Sequence, residues 1–266
     1  MSFPDFNAND AHIQWQRFCD LLWYHDDLGI WLDISRMHVN ADHLDRLQPG
    51  LQAAFTAMQQ LESGAIANAD EKRQVGHYWL RAPQLAPTTE VQKHISEEID
   101  HIESFGRDVI NGSIKAPTGA AFTDVLWIGI GGSGLGPALM IRALQANGEG
   151  LPFHFIDNVD PNGLSNVLGA LGERLKTTLV ITVSKSGGTP EPHLGMEQAR
   201  HRLESTGGQW AAQAVVVTMA DSPLDQQAVK EGWLRRFDMF DWVGGRTSIT
   251  SACLLYTSDA ADETGR

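Results

Sequence analysis

The sequence predicts an α/β protein, with a helical N-terminal region followed by one doubly wound parallel sheet. Three observations point there. Short, nearly unbroken apolar runs occupy residues 125–130, 153–156, 179–183 and 214–219, the pattern of strands covered on both faces. Segments of helical spacing at 137–145, 164–175, 191–203 and 224–229 alternate with them, as a parallel sheet with crossover helices requires. Glycines and hydroxyl residues collect where the first and third runs stop, so turns sit at the carboxyl ends of strands.

Taken in order, residues 1–118 read as helices joined by loops, since no run of β-branched residues appears there. Ile13, Phe18, Leu21 and Leu22 outline one amphipathic helix. Leu44, Leu47, Leu51, Ala54, Phe55, Met58 and Leu61 outline a longer one, with a break expected at Pro49 and Gly50. The clearest spans 91–110, where Ile95, Ile99, Ile102, Phe105 and Val109 recur at helical spacing. Its other face bears His94, Glu97, Glu98, Asp100, His101 and Glu103. His94 and Glu98 lie one turn apart, a spacing that could ligate a metal, but the pattern reads as a solvated acidic face and no metal is expected. KAPTGAAF, at 115–122, reads as a linker, and a fifth strand is expected within 237–243.

Composition narrows the function classes. The chain has 33 acidic against 20 basic residues and a net charge of −13, which argues against nucleic acid as the main partner. A few local N–H groups and one lysine can still hold an anionic small ligand. Cys19 and Cys253 stand in no CxxC pattern, so reduced thiols in a cytoplasmic protein are expected. No stretch approaches the ~20 apolar residues of a membrane span, and the start MSFPDFNAND is polar, unlike a signal peptide.

The first strand ends in DVLWIGIGGS, with Gly129, Gly131, Gly132 and Gly134 where the backbone must turn. A helix starting there aims its free N–H groups at the turn, which suits a phosphate, and the Ser133 hydroxyl adds a donor. The same residues match GxGxxG, and Asp157 ends the second strand, so a nucleotide-dependent oxidoreductase is one reading. The third strand ends in Ser184-Lys185-Ser186-Gly187-Gly188-Thr189, a second anion cradle on the same edge of the sheet. Thr189 is placed to cap a helix whose first residue is Pro190. A nucleotide fold leaves this second cradle without a role, and no Walker loop occurs anywhere in the chain.

GIGGSGLGP, then NVDP, then SKSGGTPEP, then GGRTS, in that order, resemble the sugar-isomerase (SIS) domain of the phosphoglucose isomerase family. HYWLR and the helix around Ser96 to Phe105 are consistent with its N-terminal region. The resemblance covers about residues 120–252 well and the earlier part more loosely. It implies interconversion of glucose 6-phosphate and fructose 6-phosphate through an enediolate, without cofactor or metal. Hexose 6-phosphate is then the partner, and the full-length form a homo-oligomer. Position by position, Ser133, Ser184, Lys185, Ser186 and Thr189 resemble the family's phosphate-binding residues. Gly132 resembles the glycine whose backbone approaches the sugar, and Arg246 the arginine that stabilises the enediolate charge.

Two departures qualify that expectation. An aromatic commonly follows the arginine in the family, whereas Thr247 stands here. The family's glutamate base belongs to a second sugar-isomerase domain that this sequence does not contain. The expected organisation is therefore a helical region at 1–118, a sugar-isomerase domain at 119–252 and an unrelated tail at 253–266, with the chain inactive by itself. A non-catalytic sugar-phosphate-binding module is the alternative that the missing base favours.

Overall fold

The computed structural model describes residues 3–145 and 150–252; the tail at 253–266, including Cys253, lies outside them. The chain divides into two compact units, Met1–Gln60 and Leu61–Arg266. In the first, helix α1 (Ala11–Leu21) starts on Asp10, whose carboxylate accepts from the backbone N–H groups of His12 and Ile13. Such a cap satisfies donors that the helix itself leaves free. Arg17 is buried, and its guanidinium donates to the carbonyls of Pro4, Ser35, Met37 and Val39. One side chain thus ties the segments on either side of α1 together. Cys19 is exposed and free.

The expectation of helices and loops alone in this region needs correcting. Strands β1 (Leu22–His25) and β2 (Ile30–Asp33) form an antiparallel hairpin in which Tyr24 opposes Trp31, their rings 4.3 Å apart. Aromatic cross-strand pairs stabilise a sheet as β-branched residues do, and a search for Val, Ile and Thr misses them. Leu22 accordingly leaves α1 and opens β1. Helix α2 (Ala41–Glu62) also continues through Pro49 and Gly50, giving up one backbone hydrogen bond at the proline without ending there.

The second unit begins with a small antiparallel pair, β3 (Ile66–Asn68) and β4 (Arg73–Gln74). Helix α3 (Thr89–Ile110) follows, capped by the Thr88 hydroxyl. Five parallel strands then form one sheet: β5 (Asp124–Ile128), β6 (Phe153–Ile156), β7 (Thr178–Val183), β8 (Ala214–Thr218) and β9 (Arg235–Asp238). Helices α4 (Gly132–Leu144), α5 (Pro161–Leu171), α6 (Pro190–Ser205) and α7 (Pro223–Glu231) connect them. Each of α5, α6 and α7 has proline as its first residue after Asp160, Thr189 or Ser222, a start that proline's fixed φ favours.

Successive strand residues face opposite ways, and both faces are buried. Val125, Trp127, Leu179, Ile181, Val215 and Val217 pack on Ile102, Phe105 and Val109 of α3. Leu126, Ile128, Val180 and Val216 pack on Leu168, Met196, Ala199, Leu203 and Ala228 of the connecting helices. Two cores explain why the strands read as unbroken apolar runs.

The spatial order β6-β5-β7-β8-β9 sends the connection after β5 to one side and the connection after β6 back to the other. The crevice beyond the carboxyl ends of β5 and β7 is therefore the switch point of the sheet, where ligands bind in open α/β folds. At the opposite edge, the carboxylate of buried Asp124 accepts from Thr123 Oγ1, lies 2.8 Å from His154 Nε2 and accepts from Arg174 Nη1.

The acidic face of α3 is not wholly solvated either. Glu98 is buried and accepts a 2.7 Å hydrogen bond from the backbone N–H of Asp238, and His94 Nε2 lies 3.1 Å from the Asp238 carboxylate. Burial pushes the Glu98 carboxyl above the usual carboxylate range. The pair fastens α3 to the end of β9. Among the described residues, no helix is long and apolar enough to cross a membrane.

Candidate active site

The first wall of the crevice is the turn after β5. Gly131 has φ 57°, a left-handed conformation that favours glycine. Helix α4 starts at once on Gly132, five residues before the start expected from side-chain spacing, because glycines rather than side chains fill its first turn. A Cβ on Gly132 would overlap the Gly245 carbonyl oxygen, and one on Gly134 the Gly129 carbonyl oxygen. Pro137 cannot donate to the Ser133 carbonyl four residues earlier; Trp127 does so instead, through Nε1 at 2.8 Å. A core tryptophan thus completes the helix that presents Ser133.

The second wall is the turn after β7. Gly187 also has positive φ, and a Cβ there would press on Ser222 and the Leu224 backbone. The Ser184 carbonyl accepts from Gly187 N–H and Thr218 Oγ1, while the Lys185 carbonyl accepts from Met219 N–H. Thr189 occupies the expected cap position of α6, but its hydroxyl makes no capping bond and lies 3.4 Å from Ser186 Oγ. The Ser184 hydroxyl is buried and has no hydrogen-bond partner among the described residues. A buried polar group in that state is costly unless something pairs with it.

The third wall is the 241–247 segment. Lys185 Nζ donates to the carbonyls of Asp241 at 2.7 Å and Val243 at 2.6 Å, and Gly76 N–H donates to the carbonyl between them, that of Trp242. Trp242 stacks on Phe240 and meets the edge of Trp79. Lys185 therefore latches the segment bearing Arg246 onto the turn after β7. Burial, and then the charge of Arg73, lower its pKa. Arg246 is exposed and forms no ion pair among the described residues.

These walls enclose a cleft of about 370 Å³ whose lining includes Gly132, Ser133, Ser184, Lys185, Ser186, Thr189 and Arg246. All seven residues nominated from the sequence thus come together. Asp157 and Glu191 do not line it, and neither does any other carboxylate or imidazole among the described residues. One lining residue, Arg73 of β4, escaped the sequence reading. It lies in the polar stretch ADEKRQ, about 110 residues from the cradle it joins, and no motif marks it.

A larger groove of about 650 Å³ runs between α5 and α6, past Leu164, Leu168, Leu194 and His201. It contains none of the nominated residues.

Cleft and sheet together define an open α/β domain with two helix starts and three cationic side chains around one cleft at its switch point. A family model described as phosphoglucose isomerase matches residues 33–258, and the chain belongs to that family. A glucose-6-phosphate isomerase of Synechococcus sp. is 80% identical over 252 residues, which are 95% of this chain and 47% of that protein. One from Prochlorococcus marinus is 73% identical, over 95% and 46%. The crystal structure of a glucose-6-phosphate isomerase from Chlamydia trachomatis matches with a TM-score of 0.77 at 26% identity, covering 96% of this chain and 50% of that one. The chain spans about half the length of the curated relatives it matches.

Proposed function

We propose that this chain supplies the phosphate-binding part of a glucose-6-phosphate isomerase active site, within residues 119–252 acting as the sugar-isomerase domain. The supporting observation is the meeting of Gly132, Ser133, Ser184, Lys185, Ser186, Thr189 and Arg246 in one cleft at the switch point. The phosphate of a hexose 6-phosphate enters between the starts of α4 and α6, where backbone N–H groups and helix dipoles favour an anion. Ser133, Ser184, Ser186 and Thr189 offer hydroxyl donors, and the Ser184 hydroxyl gains the partner it lacks. Gly132 lets the segment that bears Arg246 close against the turn after β5, because a Cβ there would overlap the Gly245 carbonyl oxygen.

Isomerisation takes a proton from C2 and returns one to C1 through an enediolate. Arg246, held by the latched 241–247 segment, faces the developing negative charge without having to reorganise. Among the described residues the cleft lining supplies no carboxylate or imidazole for the proton transfer, so the base comes from elsewhere in the complete active site. A cytoplasmic location and a homo-oligomeric full-length form belong to the same reading.

Calorimetry tests the binding step. Glucose 6-phosphate is expected to bind and glucose to bind far more weakly; equal affinities contradict the reading. A coupled assay tests the base. The 266-residue chain is expected to turn over at least ~100-fold more slowly than the full-length Synechococcus relative, since a positioned acid–base group contributes ~10² to 10⁴. Comparable rates would place a base in this chain.

A further inference from the structure

Three cationic side chains edge the cleft: Arg73, Lys185 and Arg246. They are not equally available to an anion. Lys185 has two of its three N–H donors on the carbonyls of Asp241 and Val243, and Arg246 is assigned above to the enediolate oxygen. Arg73 places one guanidinium nitrogen 3.1 Å from the Glu71 carboxylate, and a guanidinium has five N–H donors in a fork that matches a phosphate.

Arg73 is also held in place. Its neighbour Gln74 donates through Nε2 to the Gly64 carbonyl at 2.8 Å, and Gly76 N–H donates to the Trp242 carbonyl, which fastens β4 to the same segment that bears Arg246.

We propose that Arg73 is a phosphate-binding residue of this cleft, with Glu71 holding the guanidinium in place and moderating its charge. The inference rests on the sugar-phosphate reading above and adds to it a cation from outside the three recognised motifs. Arg73 and Lys185 face one space closely enough for the arginine's charge to disfavour the ammonium of the lysine. An anion between them removes that repulsion, so the pair gains from a bound phosphate what neither gains from water. Glu71 competes with the phosphate for the same guanidinium.

Calorimetric titration with glucose 6-phosphate tests this in the whole chain and in the Arg73→Met, Arg73→Lys, Glu71→Gln and Ser186→Ala variants. Arg73→Met is expected to weaken binding about tenfold or more, as the loss of a charge-assisted hydrogen bond does. Arg73→Lys keeps the charge without the fork and falls between. Glu71→Gln is expected to tighten binding a few-fold, a gain that damage to the fold does not produce, so this variant decides the matter even if Arg73→Met misfolds. The proposal is overturned if Ser186→Ala weakens binding while Arg73→Met and Glu71→Gln stay within twofold of the parent chain. If the parent chain does not bind glucose 6-phosphate at all, the sugar-phosphate reading fails and this inference falls with it.

Discussion

Two polar clusters, one at each edge of the parallel sheet, handle their groups in opposite ways. At the amino edge, buried Asp124 has Thr123, His154 and Arg174 around one carboxylate, so this cluster is satisfied within the protein itself. At the carboxyl edge, the Ser184 hydroxyl is buried without a partner, Thr189 leaves its helix uncapped by its side chain, and Arg246 stands without an ion pair among the described residues. What separates structure from function is whether the polar groups satisfy one another or converge on a space that something else must fill.

The largest effect that can break this comparison is on stability at the amino edge. Asp124→Ala removes the acceptor shared by three donors and is expected to lower unfolding free energy by about 3 kcal/mol, near the low end for a broken buried pair because Arg174 is half exposed and can turn to water. Urea denaturation measures it, and glucose 6-phosphate affinity of the folded fraction should stay the same. A loss of affinity equal to that of a cleft variant would erase the distinction between the edges.

Ser184→Ala should do the reverse. Its hydroxyl has no partner to lose, so stability is expected to hold or rise slightly. Affinity for glucose 6-phosphate should fall about tenfold or more, the worth of a hydrogen bond to a charged group at ~1.5 to 3 kcal/mol. A variant that is clearly less stable and binds normally would show the hydroxyl to be structural.

Gly132→Ala sharpens the comparison more gently on stability, by roughly 1 to 3 kcal/mol as an overpacked contact. Its Cβ would displace the Gly245 carbonyl, and with it the segment that presents Arg246. Binding should weaken while the sheet remains intact by circular dichroism.

The smallest effect concerns Glu98, which belongs to neither edge's logic. Its carboxyl is pushed up in the folded chain, first by burial and also by the charge of Asp238. The stability contributed by the protonated group is complete below the unfolded-state pKa and is lost as pH rises through the higher folded value. Glu98→Gln keeps an acceptor for the Asp238 N–H and is expected to flatten this loss, visible as a shallower fall in urea midpoint across the weakly acidic range. An unchanged slope would mean the carboxyl is ionised throughout.

Most of the carboxyl edge is legible in the sequence, and the reasons are local. Gly131, Gly187 and Pro190 stand where backbone conformation demands those residue types, so SKSGGTPEP and GIGGSGLGP declare their turns in sequence. The amino edge is silent, since Asp124, His154 and Arg174 meet only after two strands and two helices have been laid down. Arg73 is silent for the same reason, and so is the latch role of Lys185, because the carbonyls it binds lie 56 and 58 residues further on. The hairpin at Leu22–His25 and Ile30–Asp33 is missed because aromatic pairing, rather than β-branching, holds it.

The measurement that bears most directly on the division between the edges is amide chemical-shift mapping as glucose 6-phosphate is added. Shifts are expected at Gly131 to Leu135, Ser184 to Thr189 and Gly244 to Thr247, with none at Asp124, His154 or Arg174. Shifts confined to the groove between α5 and α6, around Leu168, Leu194 and His201, would contradict it and move the ligand to the other cavity.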